Sequence, residues 1–210
     1  GYGWPYVDQD KSQINIRIFI EHEVAYVGLR LAPSPLHRRA YKQVNLPGSL
    51  KPNIAAAMLF IAGIESGERV LDPFCGAGTI LIEAALSGAR ALGGDLDPQA
   101  REAAKTNAAR AGVEIMLGAW DARAIPLRTS SVAQVVTNLP WGRQVEVGEE
   151  LTGFYRHICA EMERILIRGG QVVALTNLPH LLSFTRGRLV SQTEISLFGQ
   201  LPTIMKFKFE

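Results

Sequence analysis

Val70-Leu71-Asp72-Pro73-Phe74-Cys75-Gly76-Ala77-Gly78-Thr79 runs from an apolar stretch through an acid into a glycine turn. Arg69 to Asp72 reads as a strand, and Thr79 to Leu86 as a helix stopped at Gly88, so the turn joins a strand directly to a helix. Glycine there lets backbone approach a ligand closely, and the amino end of the helix offers N–H groups with no intrahelical partner. A dinucleotide fingerprint would carry a third glycine at position 81, where this chain has Leu81. The pyrophosphate reading therefore weakens, and Asp72 beside the turn suits a cationic group better.

On either side of this turn the chain alternates. Downstream, strands are expected at Ala91 to Asp95, Val113 to Leu117, Val132 to Asn138 and Gln171 to Thr176. Between them fall a helix begun by Asp97-Pro98 and ended by Gly112, and a second helix from Glu149 to Ile167 ending at Gly169-Gly170. The Asp is an N-cap, with Pro in the first turn. A short helical stretch is expected from Pro179 to Thr185, and Leu189 to Phe198 with Thr203 to Phe209 as a terminal antiparallel pair. Upstream, Ile54 to Ile64 is an apolar, Ala-rich helix. Ile14 to Ile20 and Val24 to Leu31 form a hairpin, and a Pro-rich basic loop from Ala32 to Pro52 follows it. Strands separated by helices imply right-handed crossovers and an α/β fold with a Rossmann-like, mainly parallel sheet. Two parts are expected, 1–45 as hairpin and linker and 46–210 as the main domain. There is no internal repeat or low-complexity segment.

Composition bounds the function. The 210 residues are 47% hydrophobic and 20% charged, with a net charge of +2, too small by itself to argue for nucleic acid. The distribution says more, because Arg30, Arg38, Arg39, Lys42 and Lys51 fall between Glu23 and Glu65 with no acid among them. Cys75 and Cys159 make neither a disulfide framework nor a metal set, and the four histidines show no metal-ligand spacing. No run approaches the length of a membrane span and no secretion signal is present, so a cytoplasmic setting is expected. The chain begins with Gly1 rather than Met, which leaves room for an upstream domain.

Ligands of such sheets bind at the carboxyl ends of the strands. Asp95, at the end of its strand, suits the two hydroxyls of a ribose; Asp97 competes for that role but is better explained as a cap. Asp121, in Ala119-Trp120-Asp121-Ala122, suits an adenine amino group or else caps its own turn. Asn138-Leu139-Pro140-Trp141 closes the run from Val132. An amide, a constrained backbone and an aromatic ring in that place can hold a planar amino group in line for attack.

In this order, the glycine stretch, Gly94-Asp95-Leu96-Asp97-Pro98 and Asn138-Leu139-Pro140-Trp141 resemble the class I S-adenosylmethionine-dependent methyltransferases, in the branch that methylates amino nitrogens. Leu36-His37-Arg38-Arg39-Ala40-Tyr41 followed by Pro47-Gly48-Ser49-Leu50-Lys51-Pro52-Asn53-Ile54-Ala55-Ala56 looks like the THUMP-associated RNA guanine-N2 methyltransferases. The resemblance covers roughly residues 14 to 209. It implies S-adenosylmethionine as cofactor, with Asp72, Phe74, Gly76, Gly78 and Thr79 along its methionine and ribose portions. It also implies Asp95 and Leu96 at the ribose, Asp121 at the adenine, Asn138 between cofactor and acceptor, and Ser49 to Asn53 near the methionine end. The family usually carries an amino-terminal THUMP domain, of which this chain would hold at most the trailing linker.

The implied chemistry is physical. The exocyclic amine of guanine is a poor nucleophile because its lone pair is delocalised into the ring. Hydrogen bonds from its N–H groups to the Asn138 side-chain oxygen and the Leu139 carbonyl favour a tetrahedral nitrogen. Pro140 holds Leu139 extended, and Trp141 stacks on the extruded base. The common family pattern has Pro where Leu139 stands, and this variant favours the guanine reading. Carbon-5 chemistry would want a cysteine beside Asn138, and none is there. His37, Arg38, Arg39, Lys51 and Arg143 are the candidate contacts to RNA, tRNA before rRNA. The competing readings are an adenine-N6 or protein-glutamine methyltransferase and a catalytically inactive RNA-binding subunit.

Overall fold

From Arg69 onward each apolar run is followed by a segment long enough to cross over, so successive strands pair in parallel. The computed structural model describes residues 15–30, 35–140, 151–197 and 199–210. They fall into two units divided between Leu36 and His37. The first is an antiparallel hairpin, β1 (Ile16–Glu21) with β2 (Val24–Leu29), paired from Ile16↔Leu29 to Glu21↔Val24. Ile16, Ile18 and Ile20 share one face with Val27 and Leu29, and all five are exposed.

The second unit begins at His37 rather than at residue 46, because 37–45 is bonded to its helices. Its elements are α1 (Pro52–Ala62), β3 (Arg69–Asp72), α2 (Thr79–Leu86), β4 (Arg90–Gly94), α3 (Pro98–Ala111) and β5 (Met116–Gly118). There follow β6 (Val132–Asn138), α4 (Leu151–Ile165), β7 (Leu166–Thr176), a 3-10 turn (Pro179–Leu181), β8 (Gly187–Glu194) and β9 (Thr203–Phe209). The strand order is β5-β4-β3-β6-β7-β9-β8, parallel through β7, with β9 antiparallel between β7 and β8. The mainly parallel sheet closed by an antiparallel pair is as expected from the sequence.

α4 lays Phe154, Tyr155, Ile158 and Met162 against one face of the sheet, in a cluster with Leu71, Val135 and Phe207. α1 and α2 cover the other face, where Met58, Leu59 and Leu81 meet Val70, Val136 and Val173. Burial on both faces is what makes these strands nearly continuous apolar runs. Several boundaries depart from expectation: β5 is Met116–Gly118 instead of Val113 to Leu117, β8 is Gly187–Glu194 instead of Leu189 to Phe198, and the helical turn after β7 stops at Leu181. The chain turns from α4 straight into β7 at Leu166, which pairs with Val132, and the register then slips so that Gln171 faces Gln134. Gly169-Gly170 therefore lies within a bulged strand instead of ending a helix that reaches Ile167.

From β3 the chain goes one way to β4 and β5, then returns to place β6 on the other side of β3. That reversal opens a crevice at the carboxyl ends of β3 and β6. Its flank is packed by Trp120: a Cβ at Gly94 would lie 2.0 Å from the indole, and one at Gly118 2.5 Å away. Gly94→Ala is accordingly expected to cost about 1–3 kcal/mol of stability through overpacking. Urea unfolding checks this, and Trp120→Leu in the same chain should restore part of the loss. A midpoint unchanged by Gly94→Ala would contradict the packing.

Candidate functional site

Each component of the site sits where a strand or helix ends. β3 delivers Asp72, which is 1% exposed. Its Oδ1 accepts from the Thr137 hydroxyl at 2.7 Å and from the Phe74 amide at 3.1 Å. Burial pushes the carboxyl up to about 7, against the lowering effect of those two hydrogen bonds. The glycine turn then passes into α2 through Gly78, whose φ of 78° is left-handed and whose Cβ would lie 2.9 Å from that of Ala104. A Cβ at Gly76 would meet nothing within 4 Å. β4 delivers Asp95, whose Oδ2 accepts from the Gly76 amide and Oδ1 from the Asp97 amide, both at 3.0 Å. Its oxygens keep further lone pairs for hydroxyl donors. β6 delivers Asn138, whose Oδ1 is buried and has no hydrogen-bond partner among the described residues.

These groups surround a cavity of about 350 Å³, lined among others by Asp72, Phe74, Gly76, Asp95, Asn138 and Pro140. Thr79 lines it as well. One wall comes from a strap, residues 37–50, whose last five residues line the cavity and which is remote in sequence from the glycine turn. Three side chains, Glu83, Lys42 and Asn107, hold the strap in place. Glu83 on α2, 6% exposed, accepts from Arg39 Nε at 3.1 Å and from the Tyr41 hydroxyl at 2.7 Å. Lys42 donates to the Leu50 carbonyl and to the Thr79 hydroxyl, and burial pulls its ammonium down to about 8. Asn107 on α3, fully buried, accepts from the Gln43 and Val44 amides and donates to the Val44 and Ala77 carbonyls.

The structure thus gathers Asp72, Phe74, Gly76, Thr79, Asp95 and Asn138 at one cavity, with Gly78 in the turn beside it. Leu139 is fully buried in the core, its amide donating to Leu175 O at 3.0 Å. Leu96 and Asp121 are not part of the lining. Leu96 is 65% exposed. Asp121 is engaged by Arg123, whose Nε lies 3.0 Å from Oδ1 and whose amide donates to the same oxygen at 2.8 Å. That pairing holds its carboxyl below the usual range. Asp97 caps α3, accepting from the Gln99 amide. Of the residues read as RNA contacts, His37 and Arg38 are exposed and Lys51 is half-buried, while Arg39 is bonded to Glu83. Trp141 and Arg143 lie outside the described residues.

Glu83, Asn107 and Tyr155 were not read from the sequence as site residues. A signal exists for Asn107, a polar side chain in the stripe Ala100, Ala103, Ala104, Ala108 that α3 buries.

An acid and a glycine turn on one side of the switch point, with an Asn-Leu-Pro end on the other, define a Rossmann-like methyltransferase domain. The chain belongs to the family described as RMKL-like, methyltransferase domain, whose model matches residues 39–206. It is 35% identical over 185 residues to the tRNA (guanine(6)-N2)-methyltransferase of Thermus thermophilus, covering 86% of this chain and 55% of that protein. It is 35% identical to the U6 snRNA (guanine-N(2))-methyltransferase THUMPD2 of Mus musculus, covering 85% of this chain and 33% of that one. The crystal structure of TrmN from Thermus thermophilus superposes with a TM-score of 0.80 at 31% identity, over 97% of this chain and 62% of that chain. A putative methyltransferase complexed with SAH, SMU.472, shares the fold with a TM-score of 0.75 at 17% identity, over 94% of this chain and 62% of that one. The chain therefore spans about half the length of the first relative and a third of the second.

The resemblance of the motifs implies S-adenosylmethionine as cofactor, and the residues that line the cavity fit it. The open face of Gly76 gives room for close approach, Asp72 and Asp95 supply the negative charge and hydroxyl acceptors, and Asn138 holds an unsatisfied acceptor at the cavity edge. Asp72 binds its proton far more tightly in the folded protein, at about 7, than in an unfolded chain, at about 4. Its contribution to stability is therefore fully present below about pH 4 and is lost as pH rises through about 7. Asp72→Asn is expected to gain stability relative to the parent across that window, which thermal melts at several pH values would read. A cation held beside Asp72 favours the carboxylate, so affinity for S-adenosylmethionine should rise as pH passes through about 7. Asp72→Asn should bind more weakly and show no such step. Calorimetry with the parent giving a flat pH profile would refute the assignment.

Proposed function

We propose that this domain transfers a methyl group to the exocyclic N2 amine of a guanosine in RNA, with tRNA as the first substrate class. The observation that carries the proposal is the buried, unpartnered Oδ1 of Asn138 at the edge of the cavity. A buried acceptor left unsatisfied is costly, and a donor arriving with the substrate offsets that cost. Asn138 Oδ1 and the Leu139 carbonyl accept the two N–H groups of the amine, which pyramidalises the nitrogen and turns its lone pair toward the cavity. S-adenosylmethionine, when bound, supplies an electrophilic methyl on its sulfonium. Orientation supplies most of the acceleration, and no strong base is required; the proton leaves to water after transfer.

RNA as the acceptor is supported by the relatives, whose names record guanine-N2 methylation of tRNA and of U6 snRNA. The tRNA (guanine(10)-N2)-dimethyltransferase of Methanothermobacter thermautotrophicus, 36% identical over 65% of this chain and 40% of that protein, carries the same chemistry in its name. His37 and Arg38 on the exposed start of the strap, together with Lys51, give the phosphates a basic approach. Arg39, committed in part to Glu83, serves the strap first. Among the described residues no helix is long and apolar enough to cross a membrane.

Labelled methyl transfer to total tRNA, followed by nucleoside analysis, tests this directly. The expected product is N2-methylguanosine, and recovery of N6-methyladenosine would overturn the guanine assignment. Asn138→Ala is expected to lower turnover by about 100- to 1000-fold while cofactor affinity persists, the loss typical of removing one hydrogen-bond partner of a transition state. Parallel loss of cofactor binding would make Asn138 a structural residue.

A further inference from the structure

The tetrapeptide Thr137-Asn138-Leu139-Pro140 at the end of β6 recurs as Thr176-Asn177-Leu178-Pro179 at the end of β7, the adjacent parallel strand. The second copy stands farther out along its strand, because Asn138 pairs with Leu175 rather than with Asn177. Both threonines are fully buried, and each hydroxyl is spent on an anchor. Thr137 holds Asp72, on the cofactor side. Thr176 lies 3.0 Å from the hydroxyl of Tyr155, which is itself fully buried on α4 and reaches the Pro140 carbonyl at 3.1 Å.

The direction of this chain of hydrogen bonds is determined by its ends. A carbonyl only accepts, so the single phenolic proton of Tyr155 goes to Pro140. Thr176 must then donate to Tyr155, and it is free to do so because its own oxygen accepts from the Leu178 amide at 3.0 Å. The relay runs from Leu178 N–H through Thr176 and Tyr155 to Pro140 O. It joins the turn after β7 to the turn that carries Asn138 and the Leu139 carbonyl. Burial raises the Tyr155 phenol above its ordinary range, which keeps the proton the relay needs. Phe154 packs edge-on against Tyr155 at 6.1 Å and fixes the ring without contributing a hydrogen bond.

We propose that Tyr155 and Thr176 are positioning residues for methyl transfer, holding the Asn138–Pro140 turn through the Pro140 carbonyl so that both acceptors stay aimed at the amine. The inference rests on the acceptor role of Asn138. Neither Tyr155 nor Thr176 is among the residues lining the cavity. Both act through the backbone of the turn, where a displacement of about an ångström is enough to cost a large factor in rate.

Tyr155→Phe keeps the ring and removes only the hydroxyl, and Thr176→Val keeps the shape of the threonine. Each is expected to lower kcat at saturating cofactor by about 10- to 100-fold, with affinity for S-adenosylhomocysteine changed by less than about twofold. Because both break one relay, the double variant should be no slower than the slower single variant. The Leu139 amide, bonded to Leu175 O, gives a readout independent of the acceptor: its hydrogen exchange should quicken in both variants while amides in β3 and β4 stay protected. Unchanged Leu139 exchange, multiplicative losses in the double variant, or loss of cofactor affinity in step with kcat would each overturn the relay. An unexpected methylated nucleoside from the parent would instead overturn the guanine assignment and leave the exchange test to decide the relay.

Discussion

The buried carboxylate of Asp72 is the constraint on which the rest of the site depends. It ends β3 at the place where strand order reverses, and its burial is tolerable because the Thr137 hydroxyl and the Phe74 amide both donate to it. Those two bonds tie three parts together: the end of β3, the entry to the glycine turn, and the end of β6. β3 and β6 are neighbours, with Leu71 opposite Val135, and the Thr137 hydroxyl two residues further on reaches Asp72. The same pairing brings Asn138, the next residue, to the opposite lip of the crevice.

The cavity wall opposite the sheet is made by a segment with no secondary structure, and such a segment needs side chains to hold it. Glu83, Lys42 and Asn107 do this from two helices and from within the strap. Asn107 is the most economical of them, since its one carboxamide makes four hydrogen bonds and reaches both the strap and the Ala77 carbonyl of the glycine turn. Strap and turn are therefore fixed relative to one another by a single buried group. A polar network of this kind is stable only when every member is satisfied, which holds for this amide. Within the core, Asn53, Trp120 and Gln134 also carry polar atoms without partners among the described residues. Asn138 differs from them in lining the cavity, where a ligand can complete it.

On the acceptor side the rigidity comes from the strand that follows. β7 places Thr176 behind α4, and Tyr155 spans from there to the Pro140 carbonyl. Cofactor side and acceptor side thus use the same device, a buried threonine at a strand end bonded to a group of a neighbouring element. The relatives of this domain act, by their names, on guanines in different RNAs.

Much of this was legible along the chain. Period and punctuation determined the alternation of strands and helices, since Gly88, Gly112 and Asp97-Pro98 act locally and need no distant partner. That the glycine turn, Asp72, Asp95 and Asn138 would meet was legible for a related reason: all stand at or just after strand ends, and a parallel sheet brings those ends to one edge, where they line one cavity. Tertiary structure decided the rest. It exposed Leu96 and carried β7 back to Leu166 by a pairing with Val132. It also began the domain at His37 and made Glu83, Asn107 and Tyr155 the supports of the site. The physical reason is that hydrogen-bond partners such as Arg39 and Glu83, or Thr137 and Asp72, lie far apart in sequence. Only the packed core brings them within reach, so local pattern marked residues that come to line one cavity and packing alone decided which groups hold them in place.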